Sequence, residues 1–88
     1  MKARISMLLV LILVAGVIGA AAAGTITKAQ AEKDALAAVH GGTVTLAVLE
    51  TNMGKLTWSV DITGKTHEYE VWVDAHTGAI LKIIVQPL

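Results

Sequence analysis

From Thr43 onward, apolar and polar residues alternate over most of the chain. Leu56, Trp58, Val60 and Ile62 alternate with Thr57, Ser59 and Asp61, the period-two signature of a half-buried strand. Thr43 to Glu50 alternates as well, with Val44, Leu46 and Val48 on one face and Thr43, Thr45 and Ala47 on the other. A third strand, about Thr66 to Asp74, puts Tyr69, Val71 and Val73 on one face; Glu68, Glu70, Trp72 and Asp74 fall on the other. A fourth, Ala79 to Gln86, has Ile80, Leu81, Ile83, Ile84 and Val85 on both sides, and Pro87 stops its pairing. Thr51–Lys55, Thr63–Lys65 and Ala75–Gly78 supply turns, and their spacing predicts a hairpin meander.

Before the strands, the period changes. Lys28 to Val39 is rich in Ala, Glu, Lys, Leu and Gln, strong helix formers. Ala31, Ala35, Leu36 and Val39 form one packing stripe, opposite Gln30, Lys33, Asp34 and Ala37. Thr27 is placed to cap the first turn, and Gln30 three residues on completes a capping-box pattern. Gly41-Gly42 is expected to end the helix, because Gly tolerates the left-handed conformation. One helix followed by four hairpin-linked strands predicts an α+β domain, the helix covering one face of an antiparallel sheet.

The first residues follow neither pattern. Lys2 and Arg4 precede an uncharged run from Ile5 to Ala23, dense in Leu, Val and Ile, which exits through Ala20-Ala21-Ala22-Ala23-Gly24. A basic start, an apolar centre and a small-residue exit describe a secretory signal peptide, with cleavage expected after Ala23. The run is also close to the roughly 20 residues that span a bilayer, so an uncleaved N-terminal anchor is the alternative, and membrane contact is expected only in that case. Residues 1–23 are therefore read as leader and residues 24–88 as a single domain, exported to the periplasm or the extracellular space. All seven Asp and Glu but only five of the seven Lys and Arg lie in that domain. This negative balance argues against nucleic acid, which would call for a basic patch. The chain contains no Cys, which excludes disulfides and lipid anchoring through a cysteine.

Candidate chemistry is sparse. His40, His67 and His76 belong to a helix end, a strand start and a turn, without the converging spacing of a metal site. His40 is placed to interact with the helix dipole. His67-Glu68 opens like a zinc-protease motif, but Val71 stands where the second His would be. Ser59 has no patterned base around it, and no glycine-rich phosphate loop is present. No cofactor is expected and the chain reads as a non-enzyme. Asp74 is expected to cap the following turn and Gly78 to adopt a positive φ. The acidic face of Glu68, Glu70 and Asp74 reads as solvated. Trp72 on that face is either covered by loops or terminal residues, or is an exposed contact residue of the kind enriched in interfaces. Glu68, Glu70, Trp72 and Asp74 are accordingly the candidate partner-contact surface. Trp58 lies on the apolar face and reads as core.

Three segments carry a family resemblance: Ile26-Thr27-Lys28-Ala29-Gln30-Ala31 opening the helix, Gly41-Gly42 ending it, and Tyr69 to Leu81 with its Asp74-Ala75-His76-Thr77-Gly78 turn. Together they resemble the PepSY family, the domain of peptidase propeptides and of the YpeB protein, over about Ile26 to Ile83. The resemblance implies a helix packed on a small antiparallel sheet, similar to cystatin-like domains. It also implies a non-catalytic, exported module that restrains a peptidase or regulates another envelope protein. No peptidase domain follows in this sequence, so inhibition would act in trans. The alternative function is an envelope module for a small molecule or metal, using the histidines or the acidic face.

Overall fold

The computed structural model describes residues 9–11 and 24–88. Its elements are β1 (Leu9–Leu11), α1 (Lys28–Ala38), β2 (Thr43–Asn52), β3 (Lys55–Thr63), β4 (His67–Asp74) and β5 (Ile80–Pro87). Strands β2 to β5 form the predicted four-stranded antiparallel meander, and α1 packs across one face of it. β1, from the stretch read as a leader, adds a short fifth strand outside β5, with Leu9 opposite Val85 and Leu11 opposite Ile83. The outer edge of a sheet presents backbone donors and acceptors to any extended segment, which is why so short a piece can pair there. The rest of the expected leader lies outside the described residues.

α1 begins as its sequence predicts. Thr27 is extended, and its side-chain oxygen accepts a hydrogen bond from the Gln30 N–H at 3.0 Å. The capping box does not close, because Gln30 Nε2 donates forward to Asp34 Oδ1 at 2.9 Å. The helix end differs from expectation by one residue. His40, at φ 64°, takes the left-handed position expected of Gly41. The Gly41 N–H donates to Leu36 C=O and the His40 N–H to Ala37 C=O, the paired bonds of a Schellman ending. Gly42 then brings backbone close to β3; a Cβ there would stand 2.7 Å from Ile62 Cγ2 and 2.9 Å from Thr63 O.

The core lies between α1 and the sheet. Ala31 and Ala35 are fully buried against a layer containing Val60, Ile62, Val71, Val73, Ile80 and Ile83. Small helix residues let the helix approach this β-branched surface closely. Leu36 and Val39 complete the stripe as half-buried neighbours, with Trp58 and Tyr69 at its margin. The chain before the helix is strapped down: the Ile26 N–H donates to Ala75 C=O at 2.7 Å and Trp58 Nε1 donates to Ile26 C=O at 3.1 Å.

Two bulges decide which residues face the helix. In β2 the register shifts between Val44 and Leu46. Val44 pairs with Ile62 and Ala47 with Val60, so both face α1. Leu46 and Val48 pair with Asp61 and Ser59 and so sit on the other face, 49% and 37% exposed. The alternation that grouped Val44, Leu46 and Val48 is therefore corrected: the extra residue, Thr45, flips everything after it. In β5 a shift opposite Trp72 and Val73 leaves Ile80 and Ile83 on the core side, while Lys82 pairs with Trp72 on the open side. This resolves a strand whose apolar residues pointed both ways.

These placements set two stability expectations. Ile62→Ala costs about 2–5 kcal/mol, whereas Leu46→Ala is nearly neutral, despite both being apolar residues of alternating strands. Urea titration of the two variants checks this, and equal losses would contradict the bulge. His40→Gly relieves a left-handed residue with a Cβ and raises stability by about 1 kcal/mol, read as a higher melting temperature.

Candidate partner-docking face

β4 brings Glu68, Glu70, Trp72 and Asp74 to the face opposite the helix, because its other residues, Tyr69, Val71 and Val73, pair with core positions of β3. The strands then align two rows across this open face. Val48, Ser59, Trp72 and Lys82 form one; Leu46, Asp61, Glu70 and Ile84 form the next. The face therefore combines apolar residues with a narrow acidic band.

Trp72 is held at its centre. Its Nε1 donates to Glu70 Oε2 at 2.9 Å, and Ser59 Oγ donates to the same oxygen at 2.9 Å. Lys82 Nζ lies 4.6 Å from the Trp72 ring centroid, close enough for a cation–π interaction. Ser59 is buried, whereas Trp72 and Glu70 are half-buried. The indole is thus oriented by two groups, Glu70 at its N–H and Lys82 over its ring, with Ser59 fixing the Glu70 oxygen, while part of it remains accessible. Preset orientation reduces the rotamer entropy lost when a side chain enters an interface. The carboxylate of Glu70 serves as the acceptor that positions the ring.

The other two candidates have different surroundings. Glu68 is half-buried, opposite Thr63 and Gln86. Asp74 is buried at the far end of β4, where Oδ1 accepts from the His76 N–H at 2.8 Å and the Thr77 N–H at 3.0 Å. Its Oδ2 lies 3.9 Å from Lys55 Nζ. The Gly78 N–H donates to Asp74 C=O, and Gly78 has φ 82°, so this is the glycine-dependent turn expected from the sequence. The structure thus groups Glu70 with Trp72 and directs Asp74 into the turn. Lys82 and Ser59, which complete the Trp72 setting, were missed because neither is patterned locally; only the cross-strand register brings them together.

The histidines stand apart in the fold: His40 is exposed after the helix, His67 Nδ1 lies 2.8 Å from Thr66 Oγ1, and His76 is exposed in the last turn. Among the described residues, no three His, Cys, Asp or Glu gather to hold a metal ion. No helix among the described residues is long and apolar enough to cross a membrane.

The family described as "Peptidase propeptide and YPEB domain" matches residues 25–84, which include the helix and nearly all of the meander. The chain belongs to the PepSY family. The match places it among peptidase-propeptide-like or regulatory modules, which are generally non-catalytic and typically extracellular or periplasmic. No curated protein and no solved structure matches it.

Asp74 ties its turn together through an ionised carboxylate. Burial pushes its pKa up, but the His76 and Thr77 N–H groups and Lys55 outweigh that, so its carboxyl lies below the usual aspartate value. A depressed folded pKa contributes stability above the unfolded value of about 3.9, and that contribution is lost as pH falls through the folded pKa. Asp74→Ala should cost about 1–3 kcal/mol at pH 7. Thermal melts from pH 7 to pH 2 should show the gap between wild type and variant closing below about pH 4.

Proposed function

We propose that this PepSY chain is an exported, non-catalytic binding module that restrains a peptidase or regulates another envelope protein in trans. Residues 1–23 act as its leader and residues 24–88 as its working domain. The observation that carries this reading is the PepSY match over residues 25–84. The oriented, half-buried Trp72 on the open sheet face supplies a matching contact point. An aromatic ring on the same sheet face as Leu46, Val48 and Ile84, with Glu68 and Glu70 along its own strand, suits an apolar partner surface with basic residues at its margin. Partner contact on this face leaves the core and helix undisturbed.

The protein recovered from its host's culture fluid or periplasm, assayed against the peptidases secreted by that host, tests the proposal. Binding or inhibition by at least one peptidase or co-purified envelope protein is expected. Trp72→Ala should weaken it by about 2 kcal/mol while the melting temperature changes little. A chain that neither binds nor inhibits any of them overturns the proposal. Unchanged binding by the Trp72 variant removes this face from it.

A further inference from the structure

Among the described residues, the large apolar side chains that the fold leaves exposed, apart from Leu88 at the C-terminus, are concentrated on one strand and its turn. Leu46, Val48 and Leu49 are 49%, 37% and 44% exposed, and Met53, in the turn that follows, is 78% exposed. All of them lie on or beside β2, the outer strand at one side of the sheet. Natural sheets blunt outer strands with Lys, Pro or bulges. β5, at the opposite side of the meander, carries Lys82, a register shift near Leu81 and a terminal Pro87. From Leu46 to Asn52, β2 carries neither Lys nor Pro, and its paired register is regular.

The backbone phase of this edge follows from the turns. The Ala75 N–H donates to Leu56 C=O, and the Gly64 N–H to His67 C=O. Even-numbered residues of β3 therefore point their backbone groups at β4, and Thr57, Ser59 and Asp61 point theirs at β2. Their partners Glu50, Val48 and Leu46 point inward. Ala47, Leu49 and Thr51 accordingly aim N–H and C=O outward, away from the sheet.

We propose that β2 is a self-pairing edge, to which a second copy of this chain adds its own β2 antiparallel, centred on Val48. In that register Ala47 of each copy exchanges backbone bonds with Leu49 of the other, and the two Val48 side chains meet directly. Leu46 lies beside Glu50 of the other copy. The charge pattern favours a second copy as the occupant. Glu50 is the single charge on β2, and the two Glu50 residues would lie four positions apart along the strands, about 14 Å. That exceeds the screening length of about 8 Å at physiological salt, so self-pairing meets little repulsion. The two-fold contact is self-complementary and closes as a dimer. It joins two meanders into one sheet with both Trp72 faces on the same side. The inference stands apart from the proposed partner, because it rests on β2 alone.

Cysteine trapping in the full chain, expressed in its host, tests it, since the chain has no cysteine of its own. Directly opposed residues of a non-hydrogen-bonded pair have Cα atoms about 4.5 Å apart, within disulfide reach. Val48→Cys should give a homodimer band on non-reducing gels after mild oxidation. Met53→Cys, more exposed but ten positions from its counterpart, should remain monomeric. Neither variant cross-linking, or both cross-linking equally, overturns the proposal. A Val48→Cys adduct with a different protein assigns the edge to another occupant and also overturns it. As a second measurement, Val48→Lys should weaken dimerisation at least tenfold by light scattering with the melting temperature retained; a wild-type monomer at high concentration rejects the inference.

Discussion

The fold depends on the contact between two alanines and a β-branched sheet. Ala31 and Ala35 are fully buried over a layer containing Val60, Val71 and Val73. A domain this small, with no disulfide, has a limited apolar surface to bury. Close packing of small against branched side chains extracts the most dispersion and burial from it. The strap from Ile26 to Ala75 and Trp58 holds the helix entrance in register with the sheet. The same Ala75 bonds to Leu56, so the helix entrance, β3 and the last turn meet at one residue.

Among the described residues, α1 covers one face of the sheet and no helix covers the opposite one. It is neither purely polar nor purely apolar. Its buried polar groups are satisfied within it: Thr57 donates to Glu50 C=O and accepts from Asn52, and Ser59 donates to Glu70. These bonds allow a face without a covering helix to be rigid. Trp72 inherits that rigidity through Glu70, which is the physical reason an indole can be presented half-open without collapsing onto the sheet. One face of the sheet thus carries the core, and the other presents Trp72.

Much of this was legible in the residues. The helix and its cap at Thr27, the four strands of the meander, the Asp74–Gly78 turn, the core roles of Val60 and Val71, and the placement of Trp58 against that core all follow from local rules of capping, alternation and turn chemistry. The acidic face with Trp72 was legible as a face, because β4 contains no bulge that would scramble its alternation. What was not legible depended on where backbone bonds close, at the helix end and between strands. His40 in place of Gly41 at the helix end reflects where the last helical bond closes. Lys82 over Trp72 depends on the β4–β5 register.

The sequence by itself determined the classes and order of the elements from α1 to β5, and the family, because each depends on residues close together in the chain; the short β1 was not foreseen. Tertiary structure alone decided which face each side chain of β2 and β5 occupies. A single extra residue at Thr45 moves Leu46 and Val48 from the expected core to the surface, and period-two alternation carries no local signal of such a shift. The stretch from Tyr69 to Leu81 shows both sides of that division. Its turn and its family likeness are written in consecutive residues, but the setting of Trp72 exists only where three strands align.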